Sequence, residues 1–162
     1  MILVADSSAL IALSICNGLN FLDALFGEVI VPQAVFEEIT HDSHHAESHK
    51  LKTYLLDKTR HVDLSAYIFL DGFADVGETE AMLLYKQLSA DRLLIEDKRG
   101  RKVAKINHIN TVGSLGIILL AKKAGLISEV KPFLRQLFDS QIYISADLVK
   151  MVLNLANEGD TL

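Results

Sequence analysis

Residues 1–13 read MILVADSSALIAL, and residues 92–104 read RLLIEDKRGRKVA. Each passage is a compact apolar run, then an acid, then a segment with helical spacing. Ile2, Leu3 and Val4 show no polar alternation, the pattern of a strand covered on both faces. Asp6 follows almost at once, and Ser8 to Leu13 continue as helix. In the second passage Arg92 to Ile95 is the strand, Asp97 the acid and Arg99 to Ile106 the helix. Strand and helix in alternation imply right-handed crossovers and a parallel sheet.

The rest of the chain extends that pattern. Leu19 to Phe26 is a second helix, set off by Asn17-Gly18. Val29 to Val31 is the next strand, ended by Pro32, which suits the first turn of a helix. Val35, Phe36 and Ile39 share one face of that helix. Leu51 to Leu56 follows as helix after a polar stretch, and His61 to Leu70 reads equally as strand or loop. Glu78 to Leu88 is helical, with Ala81, Leu84, Tyr85 and Leu88 as its inward stripe. Ile109 to Val112 is a short strand, and Ser114 to Ala124 an apolar helix closed by Gly125. Val130 to Phe138 and Ala146 to Ala156 complete the helices. Neither a repeat nor a linker interrupts residues 1–162. The expectation is one α/β domain with a parallel central sheet and helices on both faces.

Composition narrows the classes of function. Of 162 residues, 50% are hydrophobic and 23% charged, enough apolar material for a sizeable core. The one cysteine, Cys16, cannot form an internal disulfide or a zinc ribbon, which suits a reducing compartment. The net charge of −5 excludes binding nucleic acid mainly through bulk positive charge, so such contact needs a local patch. The first residues lack the basic start of a secretory signal, and the Ser7 to Leu22 stretch carries polar residues. A soluble, cytoplasmic protein is expected.

In open parallel sheets ligands bind beyond the carboxyl ends of the strands. Asp6 and Asp97 stand at that place. Glu38 lies on the helix after the second strand, on the face of Val35 and Ile39, and points inward. Gly77-Glu78-Thr79-Glu80 puts two acids near another helix start, where the helix dipole also favours them. Any one of these acids is equally what a helix cap or a solvated surface uses. Together, carboxylates converging on one sheet edge repel and call for a divalent cation. Mg²⁺ or Mn²⁺ favours oxygen ligands and serves phosphoryl displacement.

The blocks LVADSSALIAL (3–13), VPQAVFEEI (31–39), GETEAMLL (77–84), LLIEDKRGRKVA (93–104), TVGSLGIILLAKKAGLI (111–127) and VKPFL (130–134) occur in an order that resembles the PIN-domain family. The likeness runs from Ile2 to about Ala156, and the branch is similar to VapC-type toxin ribonucleases of toxin–antitoxin pairs. The resemblance implies a metal-dependent endoribonuclease using Mg²⁺ or Mn²⁺, with RNA as substrate, an antitoxin protein as a partner and a homodimeric assembly. Its catalytic and metal-holding acids map to Asp6, Glu38, Glu80 and Asp97. Glu80 is the local match for the third acid and Glu78 its competitor, since helical geometry does not choose between them. The family usually has Asp there, and that departure, with the acidic net charge, motivates an alternative. The alternative is a catalytically weak PIN fold acting as a nucleic-acid- or protein-binding module.

Several further features carry expectations. Ser7 and Ser8 suit either a bond to a site carboxylate or a helix cap. Lys98, Arg99, Arg101 and Lys102, with Lys105 beyond, form the one dense basic run and are read as RNA-binding beside Asp97, or else as a solvated helix face. Arg101 alternatively pairs with a clustered acid. His41, His44, His45 and His49 lack the spacing of a zinc protease and an apolar face, and read as a solvated segment. Leu115, Ile117 to Leu120, Phe133, Phe138, Leu148 and Leu155 belong to more apolar surface than one sheet face covers. That excess fits a homodimer.

Overall fold

The structure is a computed structural model that describes residues 1–41, 47–65, 75–140, 142, 144–159 and 161–162. Its strands are β1 (Ile2–Ala5), β2 (Glu28–Pro32), β3 (Thr59–Arg60), β4 (Arg92–Leu94) and β5 (Thr111–Val112). They pair in parallel in the order β3-β2-β1-β4-β5, with Leu3 opposite Val29 and Arg92, and Leu94 opposite Val112. The helices are α1 (Ser7–Ile15), α2 (Leu19–Phe26), α3 (Gln33–His41), α4 (Ser48–Leu55), α5 (Val76–Leu88), α6 (Lys98–Ile106), α7 (Ser114–Lys123), α8 (Lys131–Phe138) and α9 (Ala146–Leu155).

Successive strand residues point to opposite faces, and the core divides accordingly. Leu3, Ala5, Val29, Val31, Leu94 and Val112 pack with residues of α1, α2, α3, α4, α7, α8 and α9. Val4, Ile30, Leu93 and Ile95 pack with Ala81, Met82 and Leu84 of α5 and with Val103 and Ala104 of α6. Both faces are covered, as unalternated apolar strands require. The single α/β domain with its parallel sheet is as the sequence implies.

Three local readings are corrected. Pro32 closes β2 rather than opening α3, at a strand end where its missing N–H costs no ladder bond. The ambiguous region is preceded by a strand: Thr59 and Arg60 pair with Val31 and Pro32 on the outer side of β2. That two-residue strand is too short to leave a hydrophobic pattern, and residues 66–70 lie outside those described. The last strand is Thr111–Val112, shorter than Ile109 to Val112.

Gly125 closes α7 with φ +75°, its N–H donating to the Lys122 carbonyl at 2.9 Å while Leu126 N–H reaches the Ala121 carbonyl. Only glycine takes that left-handed conformation without a Cβ penalty. No single described helix is long and apolar enough to cross a membrane. The one apolar pair among the described residues, α1 and α2, is bent by 114° and contributes buried residues to the core.

Glu158 holds the end of the described chain to the domain. Its carboxylate accepts from Lys122 Nζ at 2.6 Å, from Val130 N at 2.6 Å and from Lys131 N at 3.0 Å. The two backbone donors stand at the start of α8, where helix N–H groups otherwise lack partners. Glu158→Ala is expected to lower unfolding free energy by about 1–3 kcal/mol, the range for losing charged hydrogen bonds, in chemical denaturation.

Candidate active site

From β1 the chain winds outward to β2 and β3, then crosses to β4 and β5 on the other side. The direction of winding therefore reverses between β1 and β4, where such sheets open a crevice beyond their carboxyl ends. Asp6 stands there, immediately past β1. Its N–H donates to the Leu94 carbonyl at 2.9 Å, tying the two strand ends together. The side chain is buried, at 3% exposure. Ser8 Oγ donates to Asp6 Oδ2 at 2.9 Å, and Ser7 Oγ donates to Glu38 Oε1 at 3.0 Å. Both serines thus bind site carboxylates, and α1 has no side-chain cap bond from Asp6.

The acids on the helices are placed by local rules. Glu38, on α3, lies against the start of α5: a Cβ built on Gly77 would be 3.2 Å from Glu38 Oε2. Asp97 caps α6, its Oδ1 accepting from Arg99 N at 2.8 Å and Gly100 N at 2.9 Å. At α5, Asp75 and Glu78 form a capping box. Asp75 Oδ1 accepts from Glu78 N at 2.7 Å, and Glu78 Oε2 accepts from Asp75 N at 3.4 Å.

The structure brings Glu78, and not Glu80, to the other acids. Glu78 is 5% exposed and its carboxylate lies against the Gly100 backbone, within the first turns of α6. Glu80 is two residues further around α5, and its Oε2 accepts from Ala34 N at 3.4 Å at the start of α3. The carboxylate there serves an unpaired helix N–H and the helix dipole. Helical spacing alone leaves both acids flanking the apolar stripe. In the structure it is Glu78 that fills the space beside the missing side chain of Gly100.

Burial, and after it the neighbouring acids, raises the proton affinity of Asp6 and Glu78. Burial pushes Asp6 up to about 6, with Asp75 and Glu38 adding to the rise and the Ser8 bond opposing it. Burial likewise pushes Glu78 up to about 7, reinforced by Asp75, Asp6 and Asp97. Asp75 is not among the acids that the sequence singles out. Its signal is the Asp-x-x-Glu spacing of a capping box, which reads as local structure.

The basic run lies on exposed positions of α6. Lys98, Arg101 and Lys102 line a groove of about 490 Å³, and Arg99 is exposed beside Asp97 but does not line it. Arg101 does not join the acid cluster. Its Nη1 and Glu96 Oε2 both crowd Gly113, and Glu96 Oε1 accepts from Ser114 N at 2.5 Å. Of the histidines, His41 is exposed at the end of α3 with Nδ1 2.8 Å from the Glu37 carbonyl, and His49 lies on α4. His44 and His45 lie outside the described residues.

The family model DUF3368, described as a PIN domain, matches residues 2–158. The chain belongs to the PIN-domain family. No curated protein and no solved structure matches it. PIN domains are in general nucleases, and the acid-lined crevice of this PIN domain falls where the sheet topology opens. Among the described residues no three carboxylate, histidine or cysteine side chains close on one point as a ready-made metal cage. The donors are nonetheless all oxygen, and the proton affinities of Asp6 and Glu78 are raised by burial and further by the neighbouring acids. Such a set suits Mg²⁺, which takes one or two carboxylates and keeps its waters.

Two outcomes follow from this geometry. A Cβ at Gly100 would lie 2.5 Å from Glu78 Oε1 and 2.7 Å from Ile95 Cδ1, and both neighbours are buried. Gly100→Ala should therefore lower stability by about 1–3 kcal/mol in denaturant titration. The second concerns pH. The native values of about 6 and about 7 exceed the ordinary 3.8 and 4.5, so the folded protein binds more protons than the unfolded chain between those limits. Stability then falls as pH rises from about 4 to about 7, and the deficit is complete above that window. With a chelator present, the melting temperature should drop across this range. Asp6→Asn with Glu78→Gln should flatten the profile.

Proposed function

We propose that this PIN domain is a metal-dependent endoribonuclease that hydrolyses RNA phosphodiester bonds. The observation that carries the reading is the crevice at the β1–β4 reversal, where buried Asp6 and Glu78 are crowded by Glu38, Asp75 and Asp97. Asp6, Glu38, Glu78 and Asp97 are the acids assigned to hold Mg²⁺ or Mn²⁺, with Glu78 taking the role that the family resemblance implies for Glu80. A bound divalent ion supplies a nucleophile at neutral pH and offsets charge on the phosphoryl oxygens. Ser7 and Ser8 orient Glu38 and Asp6. Lys98, Arg99, Arg101 and Lys102 would hold RNA phosphates at the start of α6.

Two associations go with this reading. The likeness to toxin nucleases implies an antitoxin protein, and a small adjacent gene encoding an inhibitor of the RNase would support it, while an isolated gene would remove it. A homodimer is supported by exposed Phe138, Leu148, Met151 and Leu155 on α8 and α9. Sedimentation should give about twice the 17.9 kDa of one chain.

The decisive test is cleavage of single-stranded RNA with Mg²⁺ or Mn²⁺ against chelator. Asp6→Asn and Glu78→Gln should each lower the rate by about 10²–10⁴-fold, while Glu80→Gln stays near wild type. Equal rates for wild type and Asp6→Asn would end the assignment. RNA binding without metal-dependent cleavage by wild type would favour the binding-module reading instead.

A further inference from the structure

The groove beside α6 extends well past the residues nearest Asp97. Its lining joins Lys98, Arg101, Lys102 and Lys105 of α6 to Arg92, the first residue of β4, and to Asn110 and Thr111 at the entry to β5. Five of the chain's sixteen Lys and Arg residues meet there, in a protein of net charge −5, and among the described residues no Asp or Glu lines the groove. Arg92 and Lys105 are exposed, as are Lys98, Arg101 and Lys102. The groove is open and has a volume of about 490 Å³.

Direction comes from the fold. α6 begins at Asp97, beside the acid cluster, and its axis returns toward the amino ends of β4 and β5. Lys105 is seven residues beyond Lys98, about 10 Å along a helix. A stacked single strand places one phosphate per ~3.4 Å, so the interval spans about three phosphates. Arg92 lies at the opposite end of β4 from Asp97. The positive charge is therefore strung out along a line that leads away from the acids, across the sheet's β5 edge.

We propose that this groove is a track for single-stranded RNA, in which Lys105 holds a phosphate about three nucleotides from that at Lys98 and Arg92 holds another on the same wall. The track rests on the nucleic-acid part of the proposed function and is independent of hydrolysis. Sequence order hides it, since Arg92 precedes the acid and Lys105 follows it. The fold of α6 back along β4 brings both to one wall.

Binding of a fluorescent single-stranded RNA of about twelve nucleotides, long enough to exceed the track, is followed by anisotropy with chelator present. Removing one cation that neutralises a phosphate lowers the slope of log K against log salt by about 0.7 for single strands. Arg92→Gln with Lys105→Gln should therefore lower the slope by about 1.4 and weaken binding at low salt. The charge-keeping pair Arg92→Lys with Lys105→Arg should restore it. Lys86→Gln, at an exposed site on α5, should leave the slope as in wild type. An unchanged slope in the Gln pair, an equal loss in Lys86→Gln, or no binding by wild type would overturn the track. Cleavage that depends on Asp6 together with an unchanged slope would retire the track and keep the nuclease. Slope loss without any cleavage would do the reverse.

Discussion

A carboxylate sealed at the end of the central strand sets the terms for everything around it. Asp6 is fixed twice, by its backbone bond to the Leu94 carbonyl and by the side-chain bond from Ser8. Its side chain is buried, and Glu38 of α3 and Asp75 at the start of α5 lie close enough to act on it, while Asp97 at the start of α6 acts on Glu78. Burying charge without an opposite partner is costly, and the raised proton affinities of Asp6 and Glu78 express that cost. The two-sided apolar core holds the arrangement in place despite it. A fold that stores repulsion at one point is typical of sites where stability is subordinate to chemistry.

Much of this is readable in the chain, for identifiable reasons. Ile2 to Val4, Val29 to Val31 and Arg92 to Leu94 are mostly apolar without alternation, so their strand character and parallel pairing show directly. Asp6 and Asp97 are legible because topology alone makes the ends of those strands special. The choice between Glu78 and Glu80 is not legible. It depends on the side of α5 that meets Gly100, a contact between residues some twenty positions apart. Asp75 escapes because its capping role masks its electrostatic one. Thr59–Arg60 escapes because two residues carry no period.

Negative and positive charge are kept apart on this surface, though they adjoin. The boundary falls between Asp97 and Lys98, one residue wide, where α6 turns its capped end toward the acids and its flank toward the basic groove. An overall negative protein can in this way concentrate positive potential where a polyanion is wanted.

The register of β1 also governs how this chain comes together in time. Its first partner, β2, is made within the first thirty-two residues, but its second, β4, ends at Leu94. At about 5–20 residues per second the opening strand waits on the order of ten seconds for that neighbour to be synthesised. Until then one edge of this apolar central strand has no cover, and pairings this distant in sequence form slowly even in a finished chain. The arrangement that centres Asp6 in the sheet thus makes the pairing of its strand with β4 a late event in synthesis, with an unpaired strand edge exposed until then.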